Sequence, residues 1–128
     1  REGKDLTIIT YGNTTHLSIE AAEKISSEKG IEIEVVDLRS LIPLDRETIL
    51  NSVKKTSKAL VVHEDKVFGG FGGELVSLVM EEAFEYLDGP VKRVGSTFTP
   101  VGFHRNLEKA ILPDVNKIID AANGLLKY

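Results

Sequence analysis

The 128 residues contain no cysteine, which excludes a disulfide framework, thiol catalysis and cysteine-ligated zinc together. No apolar run approaches the roughly 20 residues that span a bilayer, so a membrane partner is not expected. Basic charge is also short: 16 Lys and Arg against 20 Asp and Glu give a formal charge of −4, with the cations scattered along the chain. Nucleic acid is therefore not an expected partner. The opening Arg1-Glu2-Gly3-Lys4-Asp5 carries neither an initiator methionine nor the apolar core of a signal peptide. The expectation is a single domain over residues 1–128, excised from a larger chain and working in a reducing cytoplasm. With 41% hydrophobic and 28% charged residues, the composition is that of an ordinary globule.

Hydrophobic periodicity divides the chain into alternating strands and helices. Leu6 to Tyr11 is a short β-branched run stopped by Gly12, hence a buried strand. Leu17, Ala21, Ala22 and Ile25 recur at helical spacing between Thr15 and Lys29, and Gly30 stands at the C-cap. Ile31 to Leu38 opens with Ile-Glu-Ile-Glu alternation and predicts an edge strand with glutamates toward water. Asp45 caps the next helix, whose inward stripe is Ile49, Leu50 and Val53, and Ala59 to Glu64 is the third strand. A helix from Glu74 to Leu87 follows Gly69 to Gly73, and Val91 to Val94 is a fourth strand with edge-like Lys92 and Arg93. After a loop from Ser96 to Arg105 comes a helical tail in which Val115, Ile118, Ile119, Ala122 and Leu126 keep helical spacing, with Pro113 and Asp114 marking the start. This order predicts a three-layer α/β/α fold, doubly wound, with a mostly parallel sheet of core strand order 2-1-3-4.

In such a sheet a crevice opens where Gly12, Asn13 and His16 meet His63, Glu64, Asp65 and the glycine run. Three kinds of chemistry compete there. A phosphate cradle is suggested by Gly70, Phe71, Gly72 and Gly73 between strand and helix, but the third glycine of the dinucleotide pattern falls on Leu75 and no P-loop lysine follows. Metal or acid–base chemistry by His16, His63 and Glu64 matches no strong ligand spacing. A phospho-accepting receiver needs acidic residues at the end of the first strand, which ends Thr10-Tyr11-Gly12 instead. A serine nucleophile lacks its G-x-S-x-G elbow. Tight turning and packing against a neighbouring domain account better for the glycines.

The run Asp37-Leu38-Arg39-Ser40-Leu41-Ile42-Pro43-Leu44-Asp45 resembles the transketolase C-terminal domain found in beta subunits of 2-oxo acid dehydrogenases of the pyruvate and branched-chain types. Asp5 to Gly12, His63-Glu64, Gly69 to Gly72, Leu87 to Val91, Thr99-Pro100 and Leu112-Pro113 extend the resemblance in family order. Phe98 and Gly102 depart from it, standing where many members have aspartate and a second proline; this run looks more like bacterial chains in which alpha and beta parts are fused.

The resemblance implies a parent enzyme that decarboxylates a 2-oxo acid and passes the acyl group to a lipoyl acyltransferase, with thiamine diphosphate and magnesium bound by other domains. No catalytic, cofactor or metal residue is assigned in this chain; the alternative class is an independent small-molecule or nucleotide-binding domain. Gly12, Asn13, His16, His63, Glu64, Gly70, Phe71, Gly72 and Gly73 are expected at contacts with the remaining domains or a second copy. Asp88 and Tyr128 are the implied docking residues for the acyltransferase. The resemblance also implies an antiparallel strand just before Arg1. Without it, Ile31 to Asp37 is expected to be a bare edge, guarded by Glu32 and Glu34, where any self-association occurs.

Overall fold

The computed structural model describes all 128 residues. Its elements are β1 (Leu6–Thr10), α1 (Thr14–Lys29), β2 (Ile33–Asp37), α2 (Arg46–Thr56), β3 (Ala59–Lys66), α3 (Gly72–Ala83), β4 (Lys92–Ser96), α4 (Arg105–Ile111) and α5 (Val115–Leu125). The strands form one parallel sheet in the order β2-β1-β3-β4. Alternate residues of each strand serve opposite faces. Leu6, Ile8, Ile33, Val35, Leu60 and Val62 pack under α1 and α5, whereas Ile9, Ala59 and Val61 pack under α2 and α3. Caps lie where the side chains demand them: Asp45 accepts from the Thr48 amide at 3.0 Å, Asp114 from that of Lys117 at 2.9 Å, and Gly30 turns left-handed at φ 67°.

Four expectations need correction, the last being that of glutamates turned toward water. The helix after the glycine run starts two residues early, at Gly72, and ends at Ala83, where φ swings to −140° and Phe84–Tyr86 continue as a 3-10 turn. The segment after Ser96 contains a further helix, α4, which buries no side chain and so had no apolar stripe to betray it. The edge of β2 is not bare: Arg1 and Val35 exchange backbone hydrogen bonds at 3.1 and 2.9 Å, the pattern of an antiparallel pair. The amides of Lys4 and Asp5 both donate to the Glu32 carbonyl.

Both edge glutamates are engaged rather than free. Glu32 takes the Arg1 guanidinium at 2.9 Å and the Ser26 hydroxyl at 2.7 Å. Glu34 is buried instead of facing water, and it holds Lys55 and the Gly3 amide. Burial pushes its carboxyl upward, but the hydrogen bonds from Lys55, Ser52 and Gly3 outweigh this and leave it below the usual glutamate range. Its stabilisation is therefore present at neutral pH and is lost as acid protonates it below about pH 4.

The sheet is fastened to α2 by buried hydroxyls. Thr7 Oγ1 lies 2.7 Å from Ser52 Oγ and 2.7 Å from Thr56 Oγ1, all three sealed from solvent. Replacing Thr7 by valine keeps the shape of the strand and removes the hydroxyl that joins Ser52 and Thr56, which retain Glu34 and the Ser52 and Lys58 carbonyls as partners, so a loss of about 1 kcal/mol in unfolding free energy is expected. Urea titration of Thr7→Val beside Thr7→Ser checks this: the valine variant should be clearly the weaker, and equal stabilities would dismiss the cluster as a fastening.

Candidate functional site

The C-terminal ends of the strands, where open α/β sheets place their ligands, are built around one histidine. β3 and β4 run in register to Val62 and Val94, then slip, so that Lys66 rather than Glu64 stands opposite Ser96. The slip puts extra residues of β3 into a bulge that spans His63, Glu64 and Asp65, a device that re-aims side chains. Ser96 locks it by donating its hydroxyl to the Glu64 carbonyl, and the Val67 amide donates to the Ser96 carbonyl at 3.0 Å.

His63 consequently points into the molecule and is completely buried. Its ring lies nearly parallel to that of Tyr11, with centroids 6.4 Å apart and planes 8° from coincidence, and Phe71 meets Tyr11 edge-on at 6.2 Å. Glycines line the remaining sides. A Cβ on Gly95 or Gly70 would approach His63 Cε1 to 3.0 and 3.1 Å, and one on Gly72 would overlap Nε2 outright. Gly72 is glycine because the first turn of α3 is laid directly against the imidazole. Neither ring nitrogen has a hydrogen-bond partner. Desolvation lowers the pKa of His63; Asp65 opposes this and Arg93 adds to it, leaving the imidazole neutral at physiological pH. Burial and the nearby Asp65 raise the Tyr11 phenol.

The expected site residues therefore divide. His63, Gly70 and Gly72 are used inside this domain, while Asn13, His16 and Glu64 are exposed and Phe71 and Gly73 are half-buried. Gly12, at φ 65°, carries the left-handed turn from β1 into α1 and is itself exposed. His16 stands on α1 in solvent, so the structure does not bring His16 and His63 together as a pair. Nor does the glycine turn fit a phosphate, since its concavity is filled by the His63 ring and Asp65 and Glu74 place carboxylates beside it. No group of three or more His, Asp or Glu side chains is arranged to hold a metal ion, and no helix is long and apolar enough to cross a membrane.

Asp88 and Tyr128 meet at the opposite end of the sheet, near the start of β3. The Asp88 amide donates to the Ser57 carbonyl at 2.9 Å and its carboxylate pairs with Lys58 at 3.2 Å. The Tyr128 ring lies over Gly89, where a Cβ would come within 2.8 Å of Cγ. Both Asp88 and Tyr128 remain exposed. Sequence spacing alone gave no sign that residues 40 apart are neighbours.

The neutral state of His63 has a consequence for stability. An unfolded histidine takes up a proton near pH 6.5 that folded His63 refuses, so the unfolded state binds more protons and stability falls as pH drops through that value. Denaturation curves between pH 7.5 and 5.5 should show this decline, and His63→Leu should remove the contribution of up to one proton. An unchanged slope in the variant would mean that folded His63 takes up the proton as readily as the unfolded histidine.

Comparison with known proteins agrees with this architecture. The family described as "Transketolase, C-terminal domain" matches residues 1–118. Pyruvate dehydrogenase E1 component subunit beta of Rickettsia felis is 41% identical over 128 residues, which are 100% of this chain and 39% of that protein. The mitochondrial subunit beta of Dictyostelium discoideum is 43% identical over 122 residues, 95% of this chain and 34% of that one. A solved split-gene transketolase, described as an inactive β4 tetramer, superposes with a TM-score of 0.83 at 31% identity, over 99% of this chain and 40% of its own. The chain belongs to the transketolase C-terminal domain family, with beta subunits of pyruvate dehydrogenase E1 among its relatives.

Proposed function

We propose that this chain is the C-terminal assembly and docking domain of a thiamine-diphosphate-dependent 2-oxo acid dehydrogenase, the component that oxidatively decarboxylates a 2-oxo acid and transfers the acyl group to lipoyl acyltransferase. The observation that carries this reading is the 41% identity to a pyruvate dehydrogenase E1 subunit beta along the whole chain. The names of the relatives favour pyruvate as the parent's substrate. Thiamine diphosphate, when bound in such a parent, supplies the carbon nucleophile and electron sink for decarboxylation. The residues of this chain do not fit that cofactor, because the one glycine turn is plugged by His63 and flanked by Asp65 and Glu74. Its contribution is instead surface: Asn13, His16, Glu64 and Gly73 toward neighbouring domains, Asp88 and Tyr128 toward the acyltransferase.

The docking pair makes a concrete demand. The exposed Asp88 carboxylate and the Tyr128 ring, which lies over the adjacent Gly89, suit a basic partner surface. Lys58 already neutralises part of the Asp88 charge, so the electrostatic share is modest and acts mainly on the association rate. In the assembled parent enzyme, Asp88→Ala combined with deletion of Tyr128 should weaken acyltransferase binding about tenfold at low salt and less as ionic strength rises. Surface plasmon resonance over a salt series reads this directly; unchanged affinity would remove both residues from the docking site. The domain alone should show no 2-oxo acid decarboxylation with thiamine diphosphate and magnesium, and turnover by the purified chain would overturn the assembly reading.

A further inference from the structure

A second concavity lies on the α2 and α3 layer, next to the sheet end that His63 fills. The turn from Leu41 to Leu44, closed by a bridge between those two residues, stands against α3 and leaves a groove of about 250 Å³. Its floor is apolar: Leu78 is buried, and Leu41, Leu44 and Phe71 are half-buried. Its rim is polar and exposed, with Arg46 from the start of α2 and Glu74, Ser77 and Glu81 from α3. Small-molecule sites ordinarily begin near ~300 Å³ and combine an apolar lining with a few placed polar groups, so this groove takes only a small ligand.

The rim groups are ordered along the groove. Glu74, Ser77 and Glu81 follow one another at spacings of three and four, so they share a stripe of α3 whose ends are about 10 Å apart along the axis. Ser77 donates its hydroxyl to Glu81 at 2.9 Å, and Arg46 pairs with Glu82, the next residue. Cation, hydroxyl and carboxylate therefore gather at one end. Glu74 occupies the other, one helical turn from Phe71. Neither Glu74 nor Glu81 has an ion-pair partner, and Arg46 uses only Nη2, toward Glu82. The rim thus holds one positive and two negative charges around an apolar floor, which repels a simple anion. A ligand with one carboxylate, two cationic groups and an aliphatic stem balances all three.

We propose that this groove binds a basic α-amino acid of the lysine type. The α-carboxylate lies on Arg46, the α-ammonium on Glu81 and Ser77, and the side-chain cation on Glu74 beside the Phe71 ring. The four-carbon stem runs over Leu44 and Leu78, and with the reach of the two glutamate side chains it covers the length of the stripe. The inference rests on this groove alone and is independent of the function proposed above.

Heteronuclear NMR titration of the isotope-labelled complete chain with L-lysine tests it, in about 20 mM salt so that the charge contacts are little screened. Amide shifts in the segments Leu41 to Arg46 and Phe71 to Glu82 should saturate with a dissociation constant of about 0.2–1 mM, a range suited to a ligand of about ten heavy atoms. Three analogues read the contacts one at a time. Cadaverine lacks the carboxylate, ε-aminocaproate the α-ammonium and norleucine the terminal cation, and each should bind at least about tenfold more weakly. Arg46→Gln should bring lysine down to the affinity of cadaverine, and Glu74→Gln should bring it down to that of norleucine. Both side chains are exposed, so the variants keep the fold and its melting temperature. The absence of saturable shifts up to about 20 mM lysine, or a lysine affinity unmoved by both substitutions, would overturn the proposal. So would cadaverine binding as tightly as lysine, which would reduce the groove to an acidic face that attracts any dication.

Discussion

The seating of His63 against Gly72 is the contact on which the rest of this sheet end depends. A buried imidazole with two unpartnered nitrogens gives up about 1–3 kcal/mol for each unsatisfied group, so something must hold it there. The bulge in β3 aims the ring inward, Gly70, Gly72 and Gly95 leave the room it occupies, and Tyr11 covers its face. Each partner constrains the others: α3 can begin only where a residue without Cβ meets the ring, and β4 can pass only where Gly95 does. The neutral state of the imidazole follows from the same enclosure.

That closure decides what kind of function the fold can support. Doubly wound sheets use their C-terminal crevice for ligands, and here the crevice is filled by the protein's own side chain. Polar groups remain at its rim, on Asn13, His16 and Glu64, and a second exposed cluster forms at the far end around Asp88 and Tyr128. The assembly role proposed above draws on these exposed surfaces. The relatives, of which this chain spans 39% and 34% in the two cases above, are named as beta subunits of pyruvate dehydrogenase E1.

Much of the architecture could be read from residue patterns because the signals were local. The short β-branched run of β1, the caps at Asp45 and Asp114, and the glycine at position 30 each act within a turn or a strand, and the strand order followed from handedness. Apart from α4, which has no apolar stripe to read, the failures share a cause, dependence on residues distant in sequence. Glu34 reads as a solvent-facing alternation partner, yet Gly3 and Lys55 enclose it. His63 reads as an interface or acid–base residue because no periodicity reveals a two-residue bulge or a ring fitted to glycines on two other elements. Phe98 was visible as a departure from the family pattern, but its meaning appears only when Phe68 is found against it.

The central interlock is best tested by a double-mutant cycle on unfolding free energy, using Gly72→Ala, His63→Ala and the pair. If the ring and the first turn of α3 occupy one space, Gly72→Ala is severely destabilising alone, and removal of the ring makes room for the added methyl. The account predicts that the Gly72 substitution costs at least about 1.5 kcal/mol less in the His63→Ala background. Additivity within about 0.5 kcal/mol would contradict it, because two groups that do not share a space have no reason to couple.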